Sequence, residues 1–174
     1  MLIDKYMNEY DFNEIHTIVV EKTPEHIYPL LKVIDLRKSG IINLLFSLRG
    51  LPRQMRNLQG FISLGFILLE EKKNDEIVIG MIGQPWKRKV NLLQISPDQF
   101  LTFDRDGYIK VAWNFKLFSI TETKTIAYTE TRIQCSDQRA KRLFSLYWAW
   151  ISRFSGIVRM CMLNLIKREA EKTI

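Results

Sequence analysis

From residue 138 to residue 172 nothing in this chain breaks a helix except the pair Ser155-Gly156. Phe144, Trp148, Ile151, Ser155, Val158, Met162 and Leu165 recur across it at spacings of three and four, so they share one face. Tyr147, Phe154 and Ile166 widen that stripe. A helix of about 35 residues runs roughly 50 Å, which crosses a whole small domain. Its apolar face has to be covered by something large. The rest of the chain supplies one candidate, an antiparallel sheet, so the pattern predicts an α+β fold in which a curved sheet wraps around a long C-terminal helix. The stretch 143–166 is also long enough to cross a bilayer, but Arg153 and Arg159 fall near its middle. A charge at that depth costs about 2.5–3.5 kcal/mol, which favours a core helix over a membrane span.

The sheet has to come from residues 14–135. Residues 14–21 are β-branched and partly alternating, and predict a first strand. Thr23-Pro24-Glu25 then opens a helix: Thr23 can cap its free N–H groups, Pro24 suits the first helical position and Glu25 the positive end of the dipole. Its stripe is Ile27, Leu30, Leu31 and Ile34. Ser39 is placed to cap a second helix over 41–48, stopped by Gly50 and Pro52. An apolar, glycine-marked run predicts strand over 61–70, Asn74-Asp75 turns, and 76–83 returns. Residues 87–103 carry little pattern beyond Ser96-Pro97-Asp98-Gln99, a short-helix start. Asp106-Gly107 turns into 108–120, where Val111, Trp113, Phe115 and Leu117 alternate with Lys110, Ala112, Asn114 and Lys116. The first four are predicted to be buried, and Lys110 and Lys116 exposed. A last strand over 125–135 leads to Ser136-Asp137, which caps the long helix.

This order of strand, two helices, several antiparallel strands and a long terminal helix resembles the START-like superfamily, also called SRPBCC, whose fold is the helix grip. Thr23-Pro24-Glu25-His26-Ile27-Tyr28, followed by Leu31, looks like the family's opening. Thr129-Glu130-Thr131-Arg132-Ile133 resembles an uncharacterised bacterial branch of it. So does the run from Asp137 through Arg139, Phe144, Tyr147 and Trp148 to Ser155, Ile157 and Arg159. The resemblance implies one START-like domain over 1–174 with a cavity between sheet and helix that holds an apolar small molecule.

Composition narrows the partners. The 174 residues are 47% hydrophobic and 26% charged, a globular balance with room for a sizeable core. A net charge of +7 and a pI near 9.5 favour acidic partners in general. The two cysteines, Cys135 and Cys161, have neither disulfide nor metal spacing and read as buried free thiols in a reducing compartment. Residues 1–11 lack the basic start and apolar run of a signal peptide, so the expected location is cytoplasmic.

Chemistry-bearing motifs are sparse. There is no glycine-rich phosphate loop, metal-ligand spacing or nucleophile elbow, and no cofactor is expected. His16, on the first strand, and His26, in a helix's first turn, read as surface or structural residues. On the last strand, Tyr128, Glu130, Arg132 and Gln134 share one face, and Thr129 and Thr131 the other. Burying Glu130 and Arg132 costs desolvation, so the favoured register sends them to solvent as a surface ladder. The alternative is a Glu–Arg pair gripping a polar head group inside the cavity. The candidate ligand-binding residues are Trp86, Val111, Trp113, Phe115, Thr129, Thr131, Phe144, Tyr147, Trp148 and Ile151; no catalytic or metal-binding residue is assigned.

The basic clusters are Arg49/Arg53/Arg56, Lys87-Arg88-Lys89 and Arg139/Lys141/Arg142. They lack the interleaved aromatics or reading helix of a nucleic-acid site, so no nucleic acid is expected. The first cluster follows the apolar run 41–46, which predicts transient contact with anionic membrane. The leading expectation is a non-enzymatic module that binds a hydrophobic small molecule or lipid. The alternatives are a cyclase- or hydrolase-like enzyme on the same fold, and a protein-interaction module of the chaperone-activator kind.

Overall fold

The computed structural model describes residues 1–48, 57–87 and 91–172. In chain order the elements are α1 (Leu2–Tyr6), β1 (Phe12–Val20), α2 (Pro24–Val33), a 3-10 turn (Leu36–Lys38), α3 (Gly40–Leu48), α4 (Leu58–Ser63), β2 (Ile67–Lys72), β3 (Glu76–Gln84), β4 (Asn91–Leu92), α5 (Pro97–Thr102), β5 (Ile109–Thr121), β6 (Lys124–Cys135) and α6 (Gln138–Lys172). The strands form one open antiparallel sheet in the order β1-β6-β5-β3-β2, with β4 paired to β3. α6, 35 residues long, lies against one face of it, chiefly over β1 and β6. This is the helix-grip arrangement. Among the described residues no helix is long and apolar enough to cross a membrane.

Local chemistry accounts for most boundaries. Asp137 accepts the Ala140 N–H at 2.9 Å and so caps α6. Ser96 and Gln99 make a reciprocal capping box on α5. Ser39 accepts from Ile42 N at 3.3 Å at the start of α3. Thr23 precedes α2, but its hydroxyl pairs with His26 Nδ1 at 3.0 Å instead of capping a backbone N–H. The expected stop at Gly50 and Pro52 lies outside the described residues, as do Arg49, Arg53, Arg56, Arg88 and Lys89.

The strand expected over 61–70 begins only at Ile67. Residues 58–63 are helical because Asn57 accepts the Gly60 N–H at 2.9 Å, a cap ahead of the apolar run. Gly65, at φ +108, ends that element in a conformation open to glycine. The helix delivers Phe61 edge-on to Trp113, with ring centroids 5.6 Å apart, and tertiary packing overrides the β-rich composition.

The alternation along β5 holds for Trp113, Phe115 and Leu117, which are buried toward α6, while Val111 is half-buried. The other face departs from expectation. Lys110 and Lys116 are half-buried, and Ala112 and Asn114 are fully buried. A second layer covers that face: Ile3, Tyr6 and Met7 from the N-terminal segment and Phe100 from α5 pack on Leu69, Val78, Ile82 and Ala112. Lys110 lies over the Phe100 ring at 5.1 Å, and Lys116 pairs with Asp75.

Glu130 and Arg132 correct both readings of the last strand. They point away from α6, yet they are 2% and 6% exposed, because residues 1–11 seal them in. Arg132 binds Glu130 at 2.8 and 3.2 Å, donates to Met7 O at 2.8 Å and pairs with Asp4 at 2.8 Å. Asn114 links this pair to Glu76, accepting from Glu130 N at 2.8 Å and donating to Glu76 at 2.7 Å. Glu76 in turn accepts the Leu2 and Ile3 N–H groups at 2.8 and 3.3 Å, satisfying the free start of α1.

Both cysteines are free, and both are half-buried, not fully buried as expected. Burial, with Asp11 beside it, pushes the Cys135 thiol up to about 12. The thiolate is the reactive form, so in the folded protein Cys135 is expected to resist iodoacetamide at neutral pH and to label only on unfolding. Peptide mass spectrometry after timed alkylation checks this; rapid native labelling at Cys135 contradicts it.

Candidate functional site

Strand period places Phe12, Glu14, His16, Ile18 and Val20 on one face of β1, and the pairing register sets that face toward α6. Two of the five carry ionisable side chains. Glu14 lies opposite Thr131 of β6, which lies opposite Trp113 of β5, and His16 lies opposite Thr129. A polar belt therefore crosses the sheet beneath the middle of α6, where the helix presents Ser155, Gly156 and Arg159.

Glu14 is the hub. His16 Nε2 sits 3.0 Å from its Oε1, and Ser155 Oγ donates to its Oε2 at 2.7 Å. Gly156 makes room for this contact. A Cβ there would stand 2.8 Å from Glu14 Oε1 and 3.4 Å from His16 Cε1. Serine, acid and histidine thus meet, but the acid stands between the other two. Activating a serine nucleophile requires its hydroxyl to hydrogen-bond the base that removes its proton, with a third group orienting that base. Here Ser155 and His16 each bind the carboxylate, an arrangement that orders the belt without placing the imidazole on the hydroxyl.

Arg159 lies one helical turn beyond Ser155. Its guanidinium carbon is 3.5 Å from the centroid of Trp113, stacked on the ring. Trp113 is anchored from its edge: Nε1 donates to Thr129 Oγ1 at 2.7 Å, and that hydroxyl donates to Asn114 O at 2.7 Å. Arg159 is half-buried and forms no ion pair among the described residues. Burial pulls its pKa down to about 9 against the opposing charge of Glu14, so it remains a cation at neutral pH.

Two apolar clusters flank the belt. Phe144 organises the first, with Trp148 stacked at 5.5 Å, Tyr147 at 5.8 Å, Phe12 at 5.2 Å and Trp86 at 6.5 Å; Val111 packs against it. The second contains Trp113, Phe115 and Met162 with α2, Leu36 and Phe61. Within it lies a void of about 10 Å³, lined by Leu31, Ile34, Leu36, Asn57, Leu58, Phe61, Trp113, Phe115 and Met162. That is room for about one water.

The residues assigned to a pocket from sequence therefore divide. Trp86, Val111, Phe144, Tyr147 and Trp148 gather at one end of the grip, Trp113 and Phe115 at the other, and Thr129 and Thr131 between them. Ile151 is half-buried on α6. The Thr129 hydroxyl is already committed to Trp113 and Asn114. Sequence reasoning missed Glu14, His16 and Arg159 as members of one site. The usable signals were the shared parity of Glu14 and His16 on β1, and the i, i+4 spacing of Ser155 and Arg159. His26 is exposed, and its Nδ1 pairs with the Thr23 hydroxyl. Among the described residues no group of three or more His, Cys, Asp or Glu side chains is placed to hold a metal ion.

No protein-family model and no curated protein matches the chain. Solved structures with a similar course include the Zhui aromatase/cyclase from Streptomyces sp. R1128, 13% identical, at a TM-score of 0.38 over 92% of this chain and 94% of that one. A conserved protein from Geobacillus kaustophilus is 13% identical, at a TM-score of 0.40 over 93% and 97%. The di-domain ARO/CYC BexL from the BE-7585A biosynthetic pathway is 9% identical, at a TM-score of 0.37 over 92% of this chain and 47% of that chain. Likeness at this level transfers no functional residue.

Proposed function

We propose that this chain is a single START-like domain of an uncharacterised bacterial branch, cytoplasmic and non-catalytic, that binds a hydrophobic small molecule or lipid bearing an anionic group between its sheet and α6. The observation that carries the reading is Arg159: a half-buried cation stacked on Trp113 between two apolar clusters, which feels the charge of Glu14 but has no carboxylate at ion-pair distance among the described residues. Withdrawing a charge from water is costly unless a counter-charge meets it, and a ligand carboxylate or phosphate can take bidentate hydrogen bonds from a guanidinium. The aromatic walls supply apolar area, worth about 25 cal/mol per Å² removed from water. The void holds no such molecule as it stands, so the ligand enters as side chains around Trp113 and Phe61 give way.

Titration with a fluorescent fatty-acid analogue and its neutral alcohol counterpart tests this. The wild type is expected to bind the acid more tightly than the alcohol. Arg159→Gln should remove that preference, with a loss of about ten-fold or more for the acid, the scale of one charged hydrogen bond. Trp148→Val should weaken both probes. No saturable binding of either probe would sink the proposal.

A further inference from the structure

α6 has a second apolar face that the grip does not use. Leu143, Leu146, Trp150, Phe154 and Ile157 follow one another at spacings of three and four, so they form one stripe along the helix. All five are exposed, Leu146 at 71% and Trp150 at 80%, and Phe154 with them, although the sequence pattern set it beside the covered stripe. A soluble surface carries scattered apolar residues, but a contiguous stripe centred on a tryptophan marks a contact. Arg139, Arg142 and Arg153 stand on the same side of the helix by the same spacing, are exposed and form no ion pair among the described residues. From residue 138 to residue 168 the helix contains no Asp or Glu.

We propose that this outward face of α6 docks on an anionic lipid surface. Its chemistry matches a bilayer interface on both counts. The tryptophan, leucine and phenylalanine side chains can enter the boundary between head groups and acyl chains, and the arginines reach anionic head groups alongside them. A second copy of this chain is the poorer match. Two such faces brought together would oppose arginine to arginine with no acid between them, on molecules of net charge +7. The surface lies on α6, whereas the membrane contact expected from sequence fell on the segment leading to Arg49, Arg53 and Arg56. The proposal does not depend on a ligand in the grip, which uses a different side of the helix, the one that carries Phe144, Trp148, Ser155 and Arg159.

Flotation with vesicles of phosphatidylcholine alone, and of phosphatidylcholine mixed with phosphatidylglycerol, tests it. The wild type should float with the mixed vesicles and release as salt is raised. Docking should also shift tryptophan emission to the blue. Trp86, Trp113 and Trp148 are half-buried or buried already, so that shift reports Trp150. Trp150→Glu should abolish flotation. Removing two cations together, Arg142→Gln with Arg153→Gln, should weaken it about thirty-fold. All three side chains are exposed, so circular dichroism and thermal midpoints should match the wild type and separate lost docking from lost folding. Failure of the wild type to float with the mixed vesicles overturns the proposal, and so does undiminished flotation of Trp150→Glu. A dimer in sedimentation equilibrium that Trp150→Glu dissolves would assign the face to a second copy instead.

Discussion

Replacing Trp113 by Ala is expected to lower the unfolding free energy by about 3–5 kcal/mol, the range for truncating a large aromatic in a packed core. Trp113 is 3% exposed, packs edge-on to Phe61 and tilts against Phe115 with ring centroids 5.0 Å apart. Three losses coincide in the variant. The ring's apolar area goes, the Thr129 hydroxyl loses the Nε1–H donor, and Arg159 loses the face on which its cation rests. The last adds about 0.5–2 kcal/mol in a desolvated setting. Trp113→Phe separates these losses, since it keeps much of the area and removes the indole N–H; its expected cost is about 1–2 kcal/mol. Urea denaturation monitored by circular dichroism measures both. A loss below about 1 kcal/mol for the alanine variant would mean that Trp113 borders solvent and not core.

The second large effect belongs to the far side of the sheet. Arg132→Ala should cost about 3–5 kcal/mol, because it leaves Glu130 charged, buried and without its cation. It also removes the donor to Met7 O and the partner of Asp4, two of the ties that seat the N-terminal segment. Residues 7–11 should then become sensitive to limited proteolysis before the domain unfolds. Replacing both members, Glu130→Leu with Arg132→Met, should cost less than Arg132→Ala alone, since no uncompensated charge remains. An Arg132→Ala protein as stable and as protease-resistant as the wild type would show that residues 1–11 do not rest on this pair.

The two experiments address features of unequal legibility. Trp113 stood out in the chain because residues 111–117 alternate cleanly, and alternation survives whatever the strand packs on. The fate of Glu130 and Arg132 did not, because a strand's period separates two faces without saying what covers either. The cover comes from α1, five residues long, whose first N–H groups are satisfied by Glu76, more than 70 positions away in sequence. Composition misled at 61–63 for a related reason: a cap at Asn57 and the packing of Phe61 on Trp113 outweigh the β-rich character of the run. The candidate site was the least legible element. Glu14 and Ser155 are 141 residues apart and acquire a joint meaning only when β1 passes under α6.

What the chain alone determined is what local periodicity and capping can encode. The 35-residue helix after Ser136-Asp137, the strand through Trp113, the capped starts at Ser39 and Ser96, and hence an α+β helix grip all follow from side chains that act on neighbours within a few positions. Tertiary structure alone decided which polar residues lie inside. Burial of an ionisable group depends on partners brought from elsewhere in the chain: Asn114 and Asp4 for the Glu130–Arg132 pair, Ser155 for Glu14, Trp113 for Arg159. The energy of a charge is set by its distance to other charges and to water, and sequence separation carries neither.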